Sequence, residues 1–420
     1  MTIQKKLRLD NASLIYPASL SKKYASLYRM RVSLDERVEV ATLQTALEHT
    51  VRRIPTFGRT LSRGSFWWYL TPLHKKPQVL PIQRLHEFSI RGNGGFLFRV
   101  SADGASIVLD IFHVLTDGGG AMTFLLTLTA EYLRLCYGTA IEYGGSILDC
   151  SEGPQPDEIA DAFDAFSGKK GALEQNDLAY HIKGIEEPER TLHDVRLTMD
   201  GKQVHAAAGQ RDATVTELLA AAEVWAAQEI WKSDRFHRHS AIKVSVPVDL
   251  RRIYGIRTMR NFSSYVNLGV NVRNGSYSFD EILRLVSRQK RLYCEKSELE
   301  SKVAANVQLE DNWAIASIPL FIKKRAIDII NRLKGDRYCT YTLSNIGSIE
   351  LPDGMRKHVT DLDFMLGRQR GNTGASAAVS YGGRLQLNLT RRITGSEFES
   401  RLIECLHSLG LQIRVEEMDI

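Results

Sequence analysis

The chain has 420 residues, of which 43% are hydrophobic and 25% charged, with a formal net charge of +6. Such a length exceeds one ordinary core and predicts two, in a globular protein of average composition. The mild positive charge comes in short clusters, with no long basic stripe and no nucleic-acid module, which argues against a nucleic-acid binder.

No run of 18 apolar residues occurs, so no membrane-spanning helix is expected. The first residues, MTIQKKLRLDNASLIY, lack the apolar centre of a signal peptide. Five scattered cysteines, without CxxC or Cys/His spacing, read as reduced thiols and a cytoplasmic protein.

Residues 13–33 and 56–71 read as strands around a helix at 40–53. Strands follow at 95–101 and 105–113, joined by the hairpin signal Ala102-Asp103-Gly104. Ser106 to Phe112 is rich in β-branched and bulky residues, as a buried strand is. Gly118 to Cys136 then carries Met122, Leu125, Leu126, Thr129, Leu133 and Cys136 at helical spacing, ending near Gly138. Residues 141–192 read as a crossover linker, acidic at 151–158 and polar at 167–171, with a short helix near 157–166 and little of the core.

A second unit starts near 193. A strand is expected at 195–199 and a helix at 215–231, with Thr214 or Thr216 as cap. Strands at 241–248 and 262–271, helices at 278–297 and 315–333, and a strand at 338–343 follow. Strands 374–381 and 384–391 meet at Gly382-Gly383, and a helix covers 395–411. In 384–391, Leu385, Leu387 and Leu389 form a core face; Gln386, Asn388 and Thr390 face solvent or a tunnel. The organisation is 1–140, a linker at 141–192, and 193–420. No internal repeat relates the halves.

His113 sits at the end of the buried strand and Asp117 at the start of the helix. An imidazole there titrates near neutrality and can accept a proton from a hydroxyl or amine. The same residues also suit structure: a hydrogen-bonded strand-end histidine, an Asp N-cap, and a tight turn at 118–120.

His113, three spacers, Asp117 and Gly118, placed after an apolar strand, resemble the HxxxDG motif of the chloramphenicol-acetyltransferase-like superfamily. That group includes alcohol acetyltransferases, wax-ester synthases and condensation domains of peptide synthetases. Other segments match in order. Arg53-Ile54-Pro55 resembles an early R-x-P segment, and Gly95 to Val100 the strand before the motif strand. Val246 to Arg252 with Asn261 to Asn267 resembles the second-half signature. Ser344-Asn345-Ile346-Gly347 is similar to the S-N-x-G of the alcohol-acetyltransferase branch, here its bacterial members. In one respect the chain departs: condensation domains usually carry two adjacent histidines, and Phe112 stands in place of the first.

The resemblance implies an α/β (α+β) fold of two acetyltransferase-like sandwiches with a tunnel between them. It implies acyl transfer from a thioester to an alcohol, with His113 as base. Asp117 would pair with Arg251, or else Arg252, and organise the loop with Gly118. Ser344, Asn345 and Asn267 are candidates for the oxyanion or substrate, although Ser-Asn-x-Gly is also a turn composition. No metal or resident cofactor is implied. The co-substrate would be acyl-coenzyme A or a phosphopantetheinyl thioester, and an acyl carrier protein is a possible partner. The competing readings are a condensation-type enzyme making amide or ester bonds from carrier-bound substrates, and a non-catalytic acyl-binding member.

Some features carry no such chemistry. Gly92 to Gly95 lacks dinucleotide-binding spacing, and Ser167 to Lys170 lacks the P-loop pattern. His237-Arg238-His239 reads as a basic loop, and Trp67-Trp68-Tyr69 as a buried strand or an aromatic wall for an acyl chain.

Overall fold

The computed structural model describes residues 6–19, 26–172, 177–188, 191–326 and 336–418. Two large sheets carry the two main cores. The first has five strands in the order Val359–Leu366, Leu27–Leu34, Ser106–Phe112, Phe98–Asp103 and Val79–Pro81. The helices Val40–Arg53 and Gly118–Tyr137 cover it. The second has seven strands, in the order Ser263–Asn271, Ala241–Asp249, Tyr341–Ser348, Gly374–Tyr381, Arg384–Arg391, His193–Asp200 and Ile413–Met418. Helices Val215–Ser233, Phe279–Tyr293 and Glu397–Ser408 pack over it. A small sheet orders Leu7–Arg8, Trp68–Pro72 and Arg59–Arg63.

All seven residues of Ser106–Phe112 are buried, which explains a run that is apolar except at Ser106 and Asp110: this strand is central and covered on both faces. Its one acid, Asp110, lies between two arginines. Arg29 Nε donates to Oδ1 at 2.6 Å and Arg99 Nε to Oδ2 at 2.9 Å, from the strands on either side. The next helix starts at the Asp117 cap and ends at Gly138, whose φ of 62° suits glycine. In the second sheet Ser263–Asn271 is an edge. Gln289 covers it, accepting from Gly269 N at 2.8 Å and donating to Gly269 O at 2.9 Å.

Several sequence expectations change. Residues 11–19 are helical rather than extended, because Asp10 caps the turn by accepting from Ser13 N at 2.9 Å; the strand starts at Leu27. The 56–71 segment is two short strands around a turn closed by Gly64 N to Trp67 O at 2.9 Å. The expected 278–297 helix stops at Tyr293, and a separate helix runs Lys296–Asp311. Of 315–333, residues 315–316 end the short helix Trp313–Ala316, 317–319 break it, 320–326 are helical again, and 327–333 lie outside the described residues. Residues 157–166 form two short turns, Pro156–Ile159 and Ala162–Phe166.

The crossover carries more core than expected. Phe163 and Phe166 pack with Phe262 and Leu250 in a third cluster, and Arg53 of the R-x-P segment donates to Glu158 at 2.8 Å.

Strand Val359–Leu366, unforeseen from sequence, leaves the second half and pairs antiparallel with Leu27–Leu34. It also settles the polar face of 384–391, which meets neither solvent nor a tunnel. Gln386 donates to Asp361 at 2.6 Å and Asn388 to the Phe364 carbonyl at 2.7 Å. Among the described residues, no helix is long and apolar enough to cross a membrane.

Candidate active site

His113 leaves the end of the central strand with its backbone N donating to Ser26 O at 3.1 Å. Its ring is half-buried. Tyr16 stacks on one side at 4.5 Å between ring centroids, and Tyr28 meets it edge-on at 5.2 Å. Tyr28 is itself fixed by a 2.9 Å bond to the Thr116 carbonyl.

Among the described residues, the imidazole has one polar side-chain partner. Its Nδ1 lies 3.1 Å from Asn261 Oδ1. Asn261 Nδ2 donates at 3.5 Å to both the Val114 carbonyl and Asp10 Oδ2, which turns its oxygen toward the ring. An amide oxygen only accepts, so this network assigns the proton to Nδ1 and leaves the Nε2 lone pair free. Burial lowers the imidazole pKa below its usual value; Asp117 and the Asn261 bond act in the opposite sense without cancelling it. The ring is therefore neutral at cellular pH. Behind it, burial raises the Asp10 carboxyl to about 6, against the pull of Arg260.

Asp117 does not touch the imidazole through a hydrogen bond. It caps its helix, with Oδ1 accepting from Gly120 N at 3.2 Å. Its Oδ2 accepts from Phe262 N at 2.7 Å and from Arg251 Nη1 at 2.9 Å. Burial alone would raise this carboxyl, but Arg251 and the two amides outweigh it and hold the pKa below the usual value. Arg251 also donates through Nε to Thr258 O at 2.7 Å and through Nη1 to Asp249 Oδ1 at 3.1 Å. The pair thus ties the motif loop of the first half to the loop before strand Ser263–Asn271 of the second. Arg252 has no part in it.

The motif glycines differ in what they tolerate. A Cβ on Gly120 would fall 2.1 Å from Thr116 Oγ1 and 2.9 Å from Met259 O, whereas one on Gly118 would meet nothing closer than Ile346 at 3.8 Å. The close approach of backbones is at Gly120, a position sequence reading treated only as part of a turn.

Of the other candidates, Ser344 shares a strand face with Ile346, which packs against the first core beside Gly118. Its hydroxyl has no hydrogen-bond partner among the described residues. Asn345 points the other way and is committed: its Nδ2 donates to Thr216 at 3.1 Å and its Oδ1 accepts from Gly347 N at 2.9 Å. Asn267 is buried, and its Oδ1 has no hydrogen-bond partner among the described residues. Through Ser245 and Thr342 it lies on the same sheet face as Ser344. The structure therefore brings His113, Asp117 and Arg251 together, sets Ser344 and Asn267 on one face, and does not bring Asn345 to them. Asn261, Tyr16 and Tyr28 were not singled out from sequence. The one signal for Asn261 was its place in the Asn261–Asn267 segment.

Among the described residues, no group of three or more His, Cys, Asp or Glu side chains could hold a metal ion. His237 Nδ1 lies 2.6 Å from the Asp234 carbonyl, and its ring rests on Trp231.

No protein-family model and no curated protein sequence matches the chain. Solved structures do. Trichothecene 15-O-acetyltransferase TRI3 from Fusarium sporotrichioides is 12% identical, with 96% of this chain and 95% of that one covered and a TM-score of 0.63. F. graminearum TRI101, solved with coenzyme A and T-2 mycotoxin, is 11% identical over 97% and 99%, also at 0.63. The first condensation domain of the CDA synthetase is 15% identical over 97% and 96%, at 0.58. With its two sheets and the motif histidine at their junction, the chain has the chloramphenicol-acetyltransferase-like, condensation-domain fold.

Proposed function

We propose that the chain transfers an acyl group from a thioester to an alcohol, with His113 as general base. Nε2 takes the hydroxyl proton as the alcohol oxygen attacks the thioester carbonyl. The tetrahedral intermediate then collapses, the C–S bond breaks, and the imidazolium returns the proton to the leaving thiolate, giving an ester and a free thiol. The Ser344 hydroxyl is the candidate donor to the oxyanion. Asp117 and Arg251 hold the loop and touch no reactant.

The observation that carries this reading is the half-buried imidazole with Nδ1 bonded to Asn261 and Nε2 without a hydrogen-bond partner among the described residues. Acyl-coenzyme A is the proposed donor. TRI101 is described with coenzyme A, and the Ser344-Asn345-Ile346-Gly347 segment is similar to the bacterial alcohol-acetyltransferase branch. The donor is a co-substrate; no resident cofactor is proposed.

Amide formation on carrier-bound substrates is the second reading, favoured by the likeness to a condensation domain. Phe112 weighs against it: where those domains carry their first histidine, this chain has a phenyl ring 1% exposed in the core. Incubation with acyl-coenzyme A donors and a panel of alcohols, read by mass spectrometry, tests the first reading. Products formed only from a phosphopantetheinyl carrier would favour the second.

A further inference from the structure

One surface has no role in this chemistry. The turn between strands Arg59–Arg63 and Trp68–Pro72 meets the segment 313–325, brought from far along the chain. Leu320 N donates to Ser65 O at 2.8 Å, and Lys323 Nζ donates to Phe66 O at 3.1 Å and sits 3.5 Å above the Trp67 ring. Leu320 and Lys323 are buried, so this face of the segment is anchored.

The opposite face is apolar and bare. Trp313 is 79% exposed and Phe321 73%, with Ile315, Ile318, Ile322 and Phe66 also exposed. Trp313 to Arg325, WAIASIPLFIKKR, contains no acid, and of its three cations Lys323 belongs to the anchored face, which leaves Lys324 and Arg325 for the surface. Arg63 and Arg325 are exposed at its margins. Single large side chains that stand this far out do not form the flat or concave packed patch that a protein partner fits. Tryptophan, phenylalanine and isoleucine flanked by lysine and arginine have the composition of segments that enter the headgroup and upper acyl region of a bilayer, with the cations on anionic headgroups.

We propose that this surface docks the protein peripherally on an anionic lipid bilayer, with Trp313 and Phe321 inserted. The proposal stands independently of the acyl-transfer reading, because no residue in it belongs to the His113 site.

The test uses the full chain with phosphatidylcholine vesicles, with and without 30 mole per cent phosphatidylserine (roughly the anionic content that draws basic segments to a leaflet). The expected result is co-sedimentation with the anionic vesicles, weakened by salt, and a blue shift of tryptophan emission. The double variant W313S/F321S should lose about tenfold or more in vesicle affinity and all of that shift, while melting as the wild type does. Arg325→Glu should weaken binding to anionic vesicles only. Absence of binding to anionic vesicles at low salt overturns the proposal. Equal binding to both vesicle types removes the charge argument and overturns it as stated. Self-association in sedimentation velocity that the double variant abolishes, without vesicle binding, assigns the surface to a second copy of the chain instead.

Discussion

Asn261 holds the Nδ1 of His113 from 148 positions further along the chain, at 3.1 Å. The base of the first half is thus oriented by a residue of the second. Without Asn261, either ring nitrogen can carry the proton and the ring can rotate. Asn261→Ala should therefore lower kcat by about tenfold or more, the lower end being the cost of losing the partner of a metal-bound histidine, with KM little changed. Steady-state kinetics separate the two constants. A variant with wild-type kcat would reduce Asn261 to packing.

His113→Ala should lower acyl transfer by about a hundred- to ten-thousandfold, as expected for a lost general base, while the protein stays folded. The wild-type pH profile gives a second check. Burial depresses the imidazole pKa, so the active neutral form persists below the ordinary value of 6.5. Activity should hold through neutrality and fall only as pH drops through that depressed pKa. The Asn261 bond favours the charged ring, so Asn261→Ala should shift this acid limb further down. An acid limb above 6.5 would contradict the site as described.

Asp117 and Arg251 are coupled in the buried interface, their side chains 6% and 13% exposed. Breaking either side of such a pair costs about 3–5 kcal/mol, because the other charge stays buried. Asp117→Asn and Arg251→Ala should each lower the melting temperature, and the double variant should cost less than the sum. Additivity in that double-mutant cycle is the outcome that argues against the pair.

Gly118→Ala and Gly120→Ala should behave oppositely. The first adds a methyl in ordinary contact with Ile346, so melting should change little. The second drives Cβ into Thr116 and the Met259 carbonyl, and should cost several kcal/mol, about the upper range for overpacking. Comparing the two melting curves decides it.

Glu223, fully buried in helix Val215–Ser233, has its pKa raised to about 8 by burial, against the opposing effect of its bond from Ser376. A raised carboxyl pKa favours the protonated folded state, so its contribution to stability is complete below the unfolded value near 4.5. It is lost progressively as pH rises to about 8. Glu223→Gln should match the wild type near pH 4.5 and exceed its stability at pH 9. Urea unfolding at both values measures this. Asp194, raised to about 8 by burial and by Asp363, keeps a residual slope in the same window.

What sequence revealed divides along physical lines. The motif strand and its helix were legible because burial on both faces produces the apolar run and packing on one sheet produces the helical spacing. Asp117 and Arg251 were legible through the resemblance. The strand Val359–Leu366 was not. Its Asp361 and Asp363 interrupt the apolar pattern, and only Gln386, Asn388 and Arg196, from distant strands, make them compatible with burial. The same holds at the site. Nothing local distinguishes Asn261 from any other asparagine, because its role depends on His113, Val114 and Asp10 converging on it.

That late strand also sets the order in which the protein can be built on the ribosome. Leu27–Leu34 is made first, yet its partner on one side, Val359–Leu366, emerges more than three hundred residues later. Until then the nascent first half carries an open sheet edge, the kind of surface that recruits another chain. Its completion requires a very long loop to close, which slows folding. A fragment ending at residue 192 should therefore aggregate, and supplying 193–420 as a separate chain should rescue it by restoring the missing strand.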